Sequence, residues 1–575
     1  MKKFLCLFSK KCLLLVGVLL LMFSSCSKDV LNETPLDFLS PENAYNTIAG
    51  IEQGITGLHF SVRDAWFYKD YTDMDIGDIL VGLGTDVAFH GEDPNSTRFL
   101  CNYVNYLTSE NPSVNEFWTW NYEIIQRANV LIEGISNSDD AIWTSEAKKN
   151  AYLGEAMFFR AYSYRMLVSF FGDVPLVTEV IKSAKTDFVR TPKAEVYKQM
   201  EDDLIFGTLS LPVPGQEEAP GRITQGAAWH MLSELYLTEG KYQLAVDAAT
   251  QVIDGYGYAL MTERFGDRQN VVFGKGDVYY DLFAYGNQNL AINTESIWVI
   301  QYEPFITGGA NCLGPGMFGP AYYRMGNTPD GFKAFRGDLY NGEYTGMSDT
   351  LRWGVAHIRP TNYTAYDIWR SDWNNDVRNA EYNIKRNFYF DNPESIYDKQ
   401  KIDFSLYPPG TRDAIRDTCQ YIFPYFMKFN DPCHSLTGAA WGGDWIHQKD
   451  VYAIRLAETI LLRAEAYFDL GMNDKAADDI NMIRNRANAT PVLPAAVNLD
   501  YILDERAREL YGEECRMMTL RRMGKLVERV RELNNNPLNP GLNIQDYHVL
   551  FPIPQSQIDL NIDAVIQQNP GYPQN

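Results

Sequence analysis

Apolar positions separated by steps of three and four residues predict long helices in the first half of the chain. Helical spacing begins near Ala44 and is clearest over 114–135 and 145–171. Gly172 ends the second of these segments, because glycine readily leaves helical geometry. A further helix is predicted over 193–209. The pattern indicates a mainly α-helical protein.

Two later segments repeat one unit of helix, turn and helix. The first spans 227–253 with a turn at 239–241, and the second spans 456–487 with Gly471 in its turn. Small residues where the helices cross and a turn that contains glycine are typical of tetratricopeptide repeats. Any antiparallel helical hairpin has a similar pattern, so this interpretation has an alternative. A repeat of this kind usually provides a scaffold or a docking face.

The segment between the two hairpins, about 262–445, has a different character. Gly, Asn, Asp, Tyr and Trp dominate it, and only short runs such as 296–302 have strand character. A loop-rich stretch of this length is unusual in a compact helical domain unless it carries function. We therefore predict one domain over 46–575. Its tetratricopeptide-like helical scaffold covers about 46–260 and 446–535, and its large irregular insert has few short strands.

The first 26 residues have the order of features found in an exported lipoprotein. Lysines precede an apolar run that is shorter than the ~20 residues needed to span a membrane. Ser24 and Ser25 then lead into Cys26, which resembles a bacterial lipobox. Residues 27–29 are similar to the surface-export tag of Bacteroidetes lipoproteins. We predict a signal peptide over 1–25, lipidation at Cys26 and a tether over 26–45, anchored to the outer membrane and exposed at the cell surface. Ordinary cleavage beside an incidental cysteine is the alternative.

The overall charge excludes one class of partner. The chain has 51 basic and 74 acidic residues and a formal net charge of −23. A polyanion repels nucleic acid, so we expect no nucleic-acid partner. Aromatic residues make up 13% of the chain, and many of them fall in segments without helical spacing.

The cysteines outside the leader and the lipidation position do not form a clear disulfide framework. They are odd in number and widely spread, and none lies in a Cys-x-x-Cys pair. Cys419 and Cys433 have the only close spacing, which leaves a disulfide between them possible but not required. The full set is Cys101, Cys312, Cys419, Cys433 and Cys515.

No sequence motif indicates catalysis, a metal site or a cofactor. Nucleophile-elbow, zinc-protease and Walker motifs are absent, and the histidines lack metal-ligand spacing along the chain. Residues 314–319 match a dinucleotide-binding pattern in letters only, because Pro315 and Pro320 are incompatible with it. Residues 73–78 lack the glycine and glutamate positions of a calcium loop. Abundant carboxylates leave a glycosidase pair possible, but no two of them are singled out.

Several phrases occur in a fixed order from the middle of the first helices to the last residues. They are EAMFFRAY at 155–162, FGDVPL at 171–176, VYAIRLAE at 451–458, INMIRNR at 480–486, ERAREL at 505–510, FPIP at 551–554 and QNPGY at 568–572. Together with the lipobox, this ordered set resembles the SusD/RagB family of nutrient-binding outer-membrane lipoproteins. Cys515 and the run at 517–520 depart from the usual family pattern.

The resemblance implies a function without catalysis. It implies capture of oligosaccharides and their delivery to a SusC-like TonB-dependent outer-membrane transporter. Aromatic surfaces with a few hydrogen-bonding groups suffice for sugar rings. A RagB-like subgroup takes peptides instead, which would need backbone hydrogen bonding and pockets. A surface glycoside hydrolase and a purely structural adaptor are the remaining alternatives.

The charged residues within the matching phrases have a structural interpretation. Glutamates and arginines on facing helices are predicted to be buried or half-buried partners, because an unpaired buried charge is strongly destabilising. Those singled out are Glu458, Arg463, Glu465, Glu505, Arg506 and Arg516.

Candidate ligand contacts lie in two segments rich in aromatic, amide and glycine residues. The resemblance implies a ligand surface formed by an early loop and the irregular insert, although no motif assigns single residues. Tyr322 and Tyr323 are the first choice, since two adjacent aromatics on an extended segment cannot both point inward. At each position the alternative is an aromatic that packs its own loop. The candidates are Asp86, Phe89, His90, Asn102 and Tyr103 within 84–106, and Tyr279, Tyr280, Phe305, Tyr322, Tyr323 and Arg324 within 277–345.

Overall fold

The structure is a computed structural model that describes residues 45–66, 75–91, 99–270, 274–337, 339–340, 343–348, 350–408, 417–430, 432 and 449–573. The predicted signal peptide, Cys26, most of the tether and Cys433 lie outside these residues. Across the described ranges, no helix combines the length and apolar character that a membrane span requires.

Helices before and after the insert form the scaffold. Before it lie α1 Ile48–Ala65, α2 Asp75–Leu80, α3 Tyr103–Tyr106, α4 Pro112–Asn137, α5 Glu146–Phe171, α6 Lys193–Ser210, α7 Gln225–Thr238 and α8 Tyr242–Gly255. The insert contributes the short helices α9 Val278–Leu282, α10 Gly314–Phe318 and α11 Asn362–Ala365. After it come α12 Leu456–Asp469, α13 Asn473–Arg486, α14 Leu499–Leu510, α15 Arg516–Arg522, α16 Leu526–Leu533 and α17 Gln555–Leu560.

The helix ends follow from local chemistry that the sequence displays. The Ser145 side chain accepts a hydrogen bond from the Lys148 amide and caps the start of α5. At the other end Gly172 adopts φ 74°, a left-handed geometry that glycine tolerates. Asn111 caps α4, and Pro112 occupies its first turn, where no amide hydrogen is needed. The predicted helices over 114–135, 145–171 and 193–209 are confirmed.

Both predicted hairpins are confirmed, and they are neighbours in space. Gly240 joins α7 to α8 with φ 75°, and Gly471 joins α12 to α13 with φ 73°. Helix α8 packs against α12, so the chain returns from the insert directly beside the point where it left the scaffold. Buried Ala249 and Ala464 lie on these two helices and allow close packing. The fold is mainly α, with tetratricopeptide-like hairpins as predicted.

The strands are short, and every sheet within the described residues contains two of them. Antiparallel pairs form between β1 Ala88–His90 and β5 Ile358–Pro360, β2 Ser296–Ile300 and β8 Val451–Arg455, β3 Leu339–Tyr340 and β4 Glu343–Tyr344, and β6 Ile384–Lys385 and β7 Tyr425–Phe426. The β2–β8 pair joins a strand of the insert to the segment that follows the insert. The β1–β5 pair joins the early segment to the insert. Short 3₁₀ helices such as Phe99–Cys101, Tyr322–Arg324 and Asp367–Asp372 fill many connections.

A continuous apolar core joins the scaffold to the insert. Trp298 of β2 packs edge-on against Phe158, Phe159 and Tyr162 of α5, with ring centroids 5.6, 6.1 and 5.7 Å apart. Edge-to-face contacts at this spacing are favourable beyond the area that they bury. The irregular insert is therefore seated on the scaffold by its own side chains.

The prediction that the charged family residues are buried or half-buried partners is confirmed, with Arg463 half-buried and the others buried. Each of these residues lies within a salt bridge to a partner on a neighbouring segment, which compensates the loss of hydration. The bridges are Arg506–Glu458 at 3.1 Å, Arg463–Asp479 at 2.7 Å, Arg522–Glu465 at 2.8 Å, Arg484–Glu505 at 2.7 Å and Arg516–Asp86 at 2.7 Å.

Candidate functional site

Asp86 of the early segment is an internal ion-pair partner. Its carboxylate accepts hydrogen bonds from Arg516 at 2.7 and 2.9 Å and from Arg529 at 2.8 Å. Burial alone would raise the pKa of Asp86, but the two guanidinium groups outweigh it and lower that pKa. The structure thus corrects the expectation of a ligand contact here: Asp86 ties the early segment to α15 and α16.

Other candidates in the early segment stabilise that segment. The Tyr103 hydroxyl donates to the Gly84 carbonyl at 2.7 Å, and the ring is fully buried. Phe89 is buried beneath the Arg359 guanidinium, 5.2 Å from the ring centroid. Asn102 caps α3 by accepting from the Asn105 amide. Neither aromatic ring presents a free face to solvent, and Asn102 is half-buried.

His90 lies at the end of β1 and is buried. It contacts Asp78 of α2 and His357, the residue before β5. Spacing along the chain gave no sign of this arrangement, because the two histidines come from distant segments. The fold nevertheless places their side chains together.

The candidates near α9 face inward. The Tyr279 hydroxyl donates to the Glu509 carbonyl of α14 at 3.1 Å. Burial raises the pKa of Tyr279 well above its usual value, and the carboxylates of Glu509 and Glu513 add to the shift. Tyr280 is also buried. The Tyr279 side chain thereby anchors the insert to the scaffold. Phe305, in contrast, is 76% exposed on a loop.

Tyr322 and Tyr323 have opposite environments. They lie on the 3₁₀ helix Tyr322–Arg324, whereas the sequence argument assumed an extended segment. Tyr322 is fully buried, donates to the Arg352 carbonyl at 2.9 Å and accepts from the Ser348 amide at 2.9 Å. Tyr323 is half-buried. Only the second tyrosine of the pair is available to a ligand.

Tyr323 belongs to a partly exposed group of aromatic and guanidinium side chains, here called the Tyr323 surface: Tyr323, Arg324, Arg336, Tyr344 and Trp353. The Arg324 guanidinium lies 5.5 Å from the Tyr323 ring centroid, and the Arg336 guanidinium lies 3.9 Å from that of Tyr344. Burial raises the pKa of the Tyr323 phenol, while Arg324 and a hydrogen bond from Trp353 oppose the shift.

Glycines allow the parts of the Tyr323 surface to approach one another. A Cβ at Gly316 would lie 2.3 Å from the Trp353 ring, so only glycine allows this ring to pack there. A Cβ at Gly346 would lie 3.2 Å from the Tyr323 Cβ, and Gly346 adopts φ 83°. The Gly346 amide donates to the Arg336 carbonyl at 3.0 Å. Tyr323 and Tyr344 are thereby held on adjoining segments.

The Tyr323 surface has the chemistry of a sugar-binding platform. Its ring faces can pack against the apolar C–H faces of pyranose rings. Arg324 and Arg336 carry guanidinium N–H groups, which donate to hydroxyl oxygens.

A second aromatic surface escaped the sequence analysis. Arg386 lies between the rings of Tyr366 and Trp373, 5.6 and 4.7 Å from their centroids. The two rings are 38% and 42% exposed. Arg386 donates to the Ala365 carbonyl at 2.7 Å and to Asn379 Oδ1 at 2.6 Å, which fixes its plane. The sequence feature that could have indicated this surface is the tryptophan within the polar run 371–375.

Comparison with protein families identifies the chain's relatives. Residues 294–572 match the model described as "SusD family", and residues 80–237 match one described as "Starch-binding associating with outer membrane". The chain belongs to the SusD family. The family resemblance predicted from the ordered phrases is confirmed.

Matches to relatives and to a solved structure extend over 73–95% of the SusD-family chain. "SusD-like protein P25" of Formosa agariphila is 25% identical over 581 residues, covering 95% of this chain and 96% of that protein. "Starch-binding protein SusD" of Bacteroides thetaiotaomicron is 26% identical over 432 residues, covering 73% and 72%. The structure titled "Laminarin binding SusD-like protein" superposes with a TM-score of 0.65 at 21% identity, covering 92% of this chain and 100% of that chain. The superposition on the laminarin-binding protein establishes a shared fold.

Proposed function

We propose that this chain binds oligosaccharides at the cell surface and delivers them to a SusC-like TonB-dependent transporter, without catalysis. Relatives in the family carry names that describe starch and laminarin binding. The observation that carries the proposal for this chain is the Tyr323 surface. It combines half-exposed rings with guanidinium donors and lies on the irregular insert.

The proposed ligand surface is restricted to residues that a ligand can reach. Tyr323 and Arg324 remain from the sequence-based candidates, and Trp353, Tyr344 and Arg336 join them. Phe305 is exposed but has no other aromatic side chain in ring contact among the described residues. We therefore treat it as a separate, weaker candidate.

Binding without turnover distinguishes the proposal from a surface hydrolase. The purified chain is run through gels that contain laminarin or starch, and the same glycans are incubated with it in solution. We expect retardation in at least one gel and no new reducing ends. Release of reducing ends would indicate hydrolysis. Binding of peptides with no glycan retained would favour a RagB-like function.

Anchoring and partnership complete the proposed function. Cys26, two residues after Ser24, is proposed as the lipidated mature N-terminus. A Cys26→Ala variant should stay unlabelled by palmitate and leave the outer membrane, whereas normal labelling would contradict the assignment. Mild detergent extraction of the tagged wild type should recover a large β-barrel transporter of about 22 strands. Recovery of the lipoprotein alone would argue against that partner.

A further inference from the structure

Two histidines and an aspartate from three separate segments meet in the interior. Asp78 comes from α2, His90 ends β1, and His357 directly precedes β5. The β1–β5 pairing brings the two imidazoles to the same place, since His90 lies opposite Ile358. The Gly91 amide also donates to the His357 carbonyl at 3.3 Å. The backbone therefore fixes both histidines relative to each other.

The side chains converge on one carboxylate. His357 Nε2 lies 2.7 Å from Asp78 Oδ1, and His90 Nε2 lies 3.5 Å from Asp78 Oδ2. The imidazole centroids are 4.0 Å apart, with planes at 82°. One ligand-type atom from each residue lies within 4.8 Å of the other two. All three residues are at most 2% exposed.

We propose that Asp78, His90 and His357 bind a zinc ion, filling three positions of a tetrahedral site whose fourth position is left to a water molecule. Two imidazole nitrogens and one carboxylate oxygen form a ligand set that zinc accepts, at metal–ligand distances of about 2.0–2.2 Å. Tetrahedral geometry at those distances separates neighbouring ligand atoms by about 3.3 Å. The two nitrogens lie 2.7 and 3.5 Å from different oxygens of Asp78, so the side chains must shift before one oxygen and both nitrogens can surround one ion.

A hydrogen bond between a histidine and a carboxylate needs only one imidazole, whereas Asp78 has two imidazoles beside it. His59 provides that simpler pair elsewhere: its Nε2 lies 2.7 Å from Glu155 Oε1, and Arg222 also binds this carboxylate. At Asp78, two imidazoles direct Nε2 toward the two oxygens of the same carboxylate. A metal at their meeting point would join the early segment to the insert, and its binding energy would contribute directly to folding.

Metal analysis of the purified wild type tests the proposal. We expect zinc at one equivalent per chain, and a lower melting temperature after treatment with a strong chelator. Replacement of zinc by Co²⁺ should give the visible absorption bands of a tetrahedral cobalt site. His90→Asn and His357→Asn should lose both the zinc and the cobalt bands. His59→Asn, which breaks the simpler pair, should retain both.

Two results would overturn the site. One is a folded wild-type protein that contains no zinc and takes up neither added Zn²⁺ nor Co²⁺. The other is full zinc content in His90→Asn and His357→Asn, which would place the metal elsewhere. If those variants fail to fold, the wild-type metal content and cobalt spectrum still decide. Glycan binding is measured independently, so failure of this proposal leaves the proposed function untouched.

Discussion

At the residue scale, Tyr322 and Tyr323 show how one position in the chain separates a core residue from a candidate ligand contact. Tyr322 is fully buried, and its hydroxyl has partners on both sides. Tyr323 presents part of its ring beside Arg324. The two residue types are identical, so differences between their variants report environment alone.

Substitution of each tyrosine by alanine should give opposite results. Tyr323→Ala should weaken glycan binding several-fold, because a stacked aromatic contributes about 1 kcal/mol beyond burial, while the melting temperature changes little. Tyr322→Ala should lower the free energy of unfolding by about 3 kcal/mol or more, as for other large buried aromatics. Titration calorimetry and urea denaturation measure the two effects. Unchanged affinity in folded Tyr323→Ala would remove this residue from the site.

At the element scale, the hairpin turns depend on glycine conformation more than on glycine size. Gly471 adopts φ 73°, yet no atom lies within 4 Å of the position that a Cβ would occupy. Gly57 of α1 also has open space around a Cβ, but its backbone is helical. The pair separates backbone strain from steric contact.

Gly471→Ala should destabilise the protein by about 1–2 kcal/mol, since left-handed backbone geometry brings the alanine Cβ too close to the neighbouring carbonyl oxygen. Gly57→Ala should stabilise it by up to about 1 kcal/mol, because alanine favours the helix. Denaturation midpoints of the two variants test this difference in sign. Equal shifts in the same direction would show that the αL geometry of the turn is not what requires glycine.

The sequence predicts the helical hairpins but not the contacts between distant segments. The hairpins were predictable because their apolar spacing and turn glycines are local features. The orientation of the Tyr322 side chain was not predictable, since it depends on hydrogen bonds to the backbone of Arg352 and Ser348 in a later loop. The meeting of His90 with His357 likewise requires the β1–β5 pairing. Elements follow from local pattern, whereas the sites depend on contacts between distant segments.

At the scale of the whole molecule, a buried charge network joins the insert to the scaffold. Arg378 of the insert lies 2.9 Å from both Glu505 and Glu509 of α14. Glu505 also accepts from Arg484 of α13 at 2.7 Å and from Arg508 at 2.9 Å. Each of these groups depends on the others for compensation of its lost hydration. The network therefore couples the position of the ligand-bearing insert to the integrity of the helical hairpins.

The network predicts a specific acid response. Burial would raise the pKa of Glu505, but Arg378, Arg508 and Arg484 outweigh it and lower that pKa to about 2. A carboxyl with a depressed folded pKa contributes stability that is full above its unfolded pKa of about 4.3 and is lost as the pH falls toward 2. Glu505→Gln should thus cost about 3 kcal/mol at neutral pH, and this difference from wild type should shrink steadily below about pH 4.3.

Urea denaturation of wild type and Glu505→Gln across this pH range measures the difference. Glu528→Gln is the matched control, because its bridge to Lys525 lies at the surface and such pairs contribute about 0–1 kcal/mol. We expect the control to follow wild type at every pH. A Glu505→Gln deficit that stays constant from pH 7 to pH 2.5 would show that the carboxylate charge does not hold the insert on the scaffold. A deficit that closes with acid would tie the seating of the Tyr323 surface to these buried arginines.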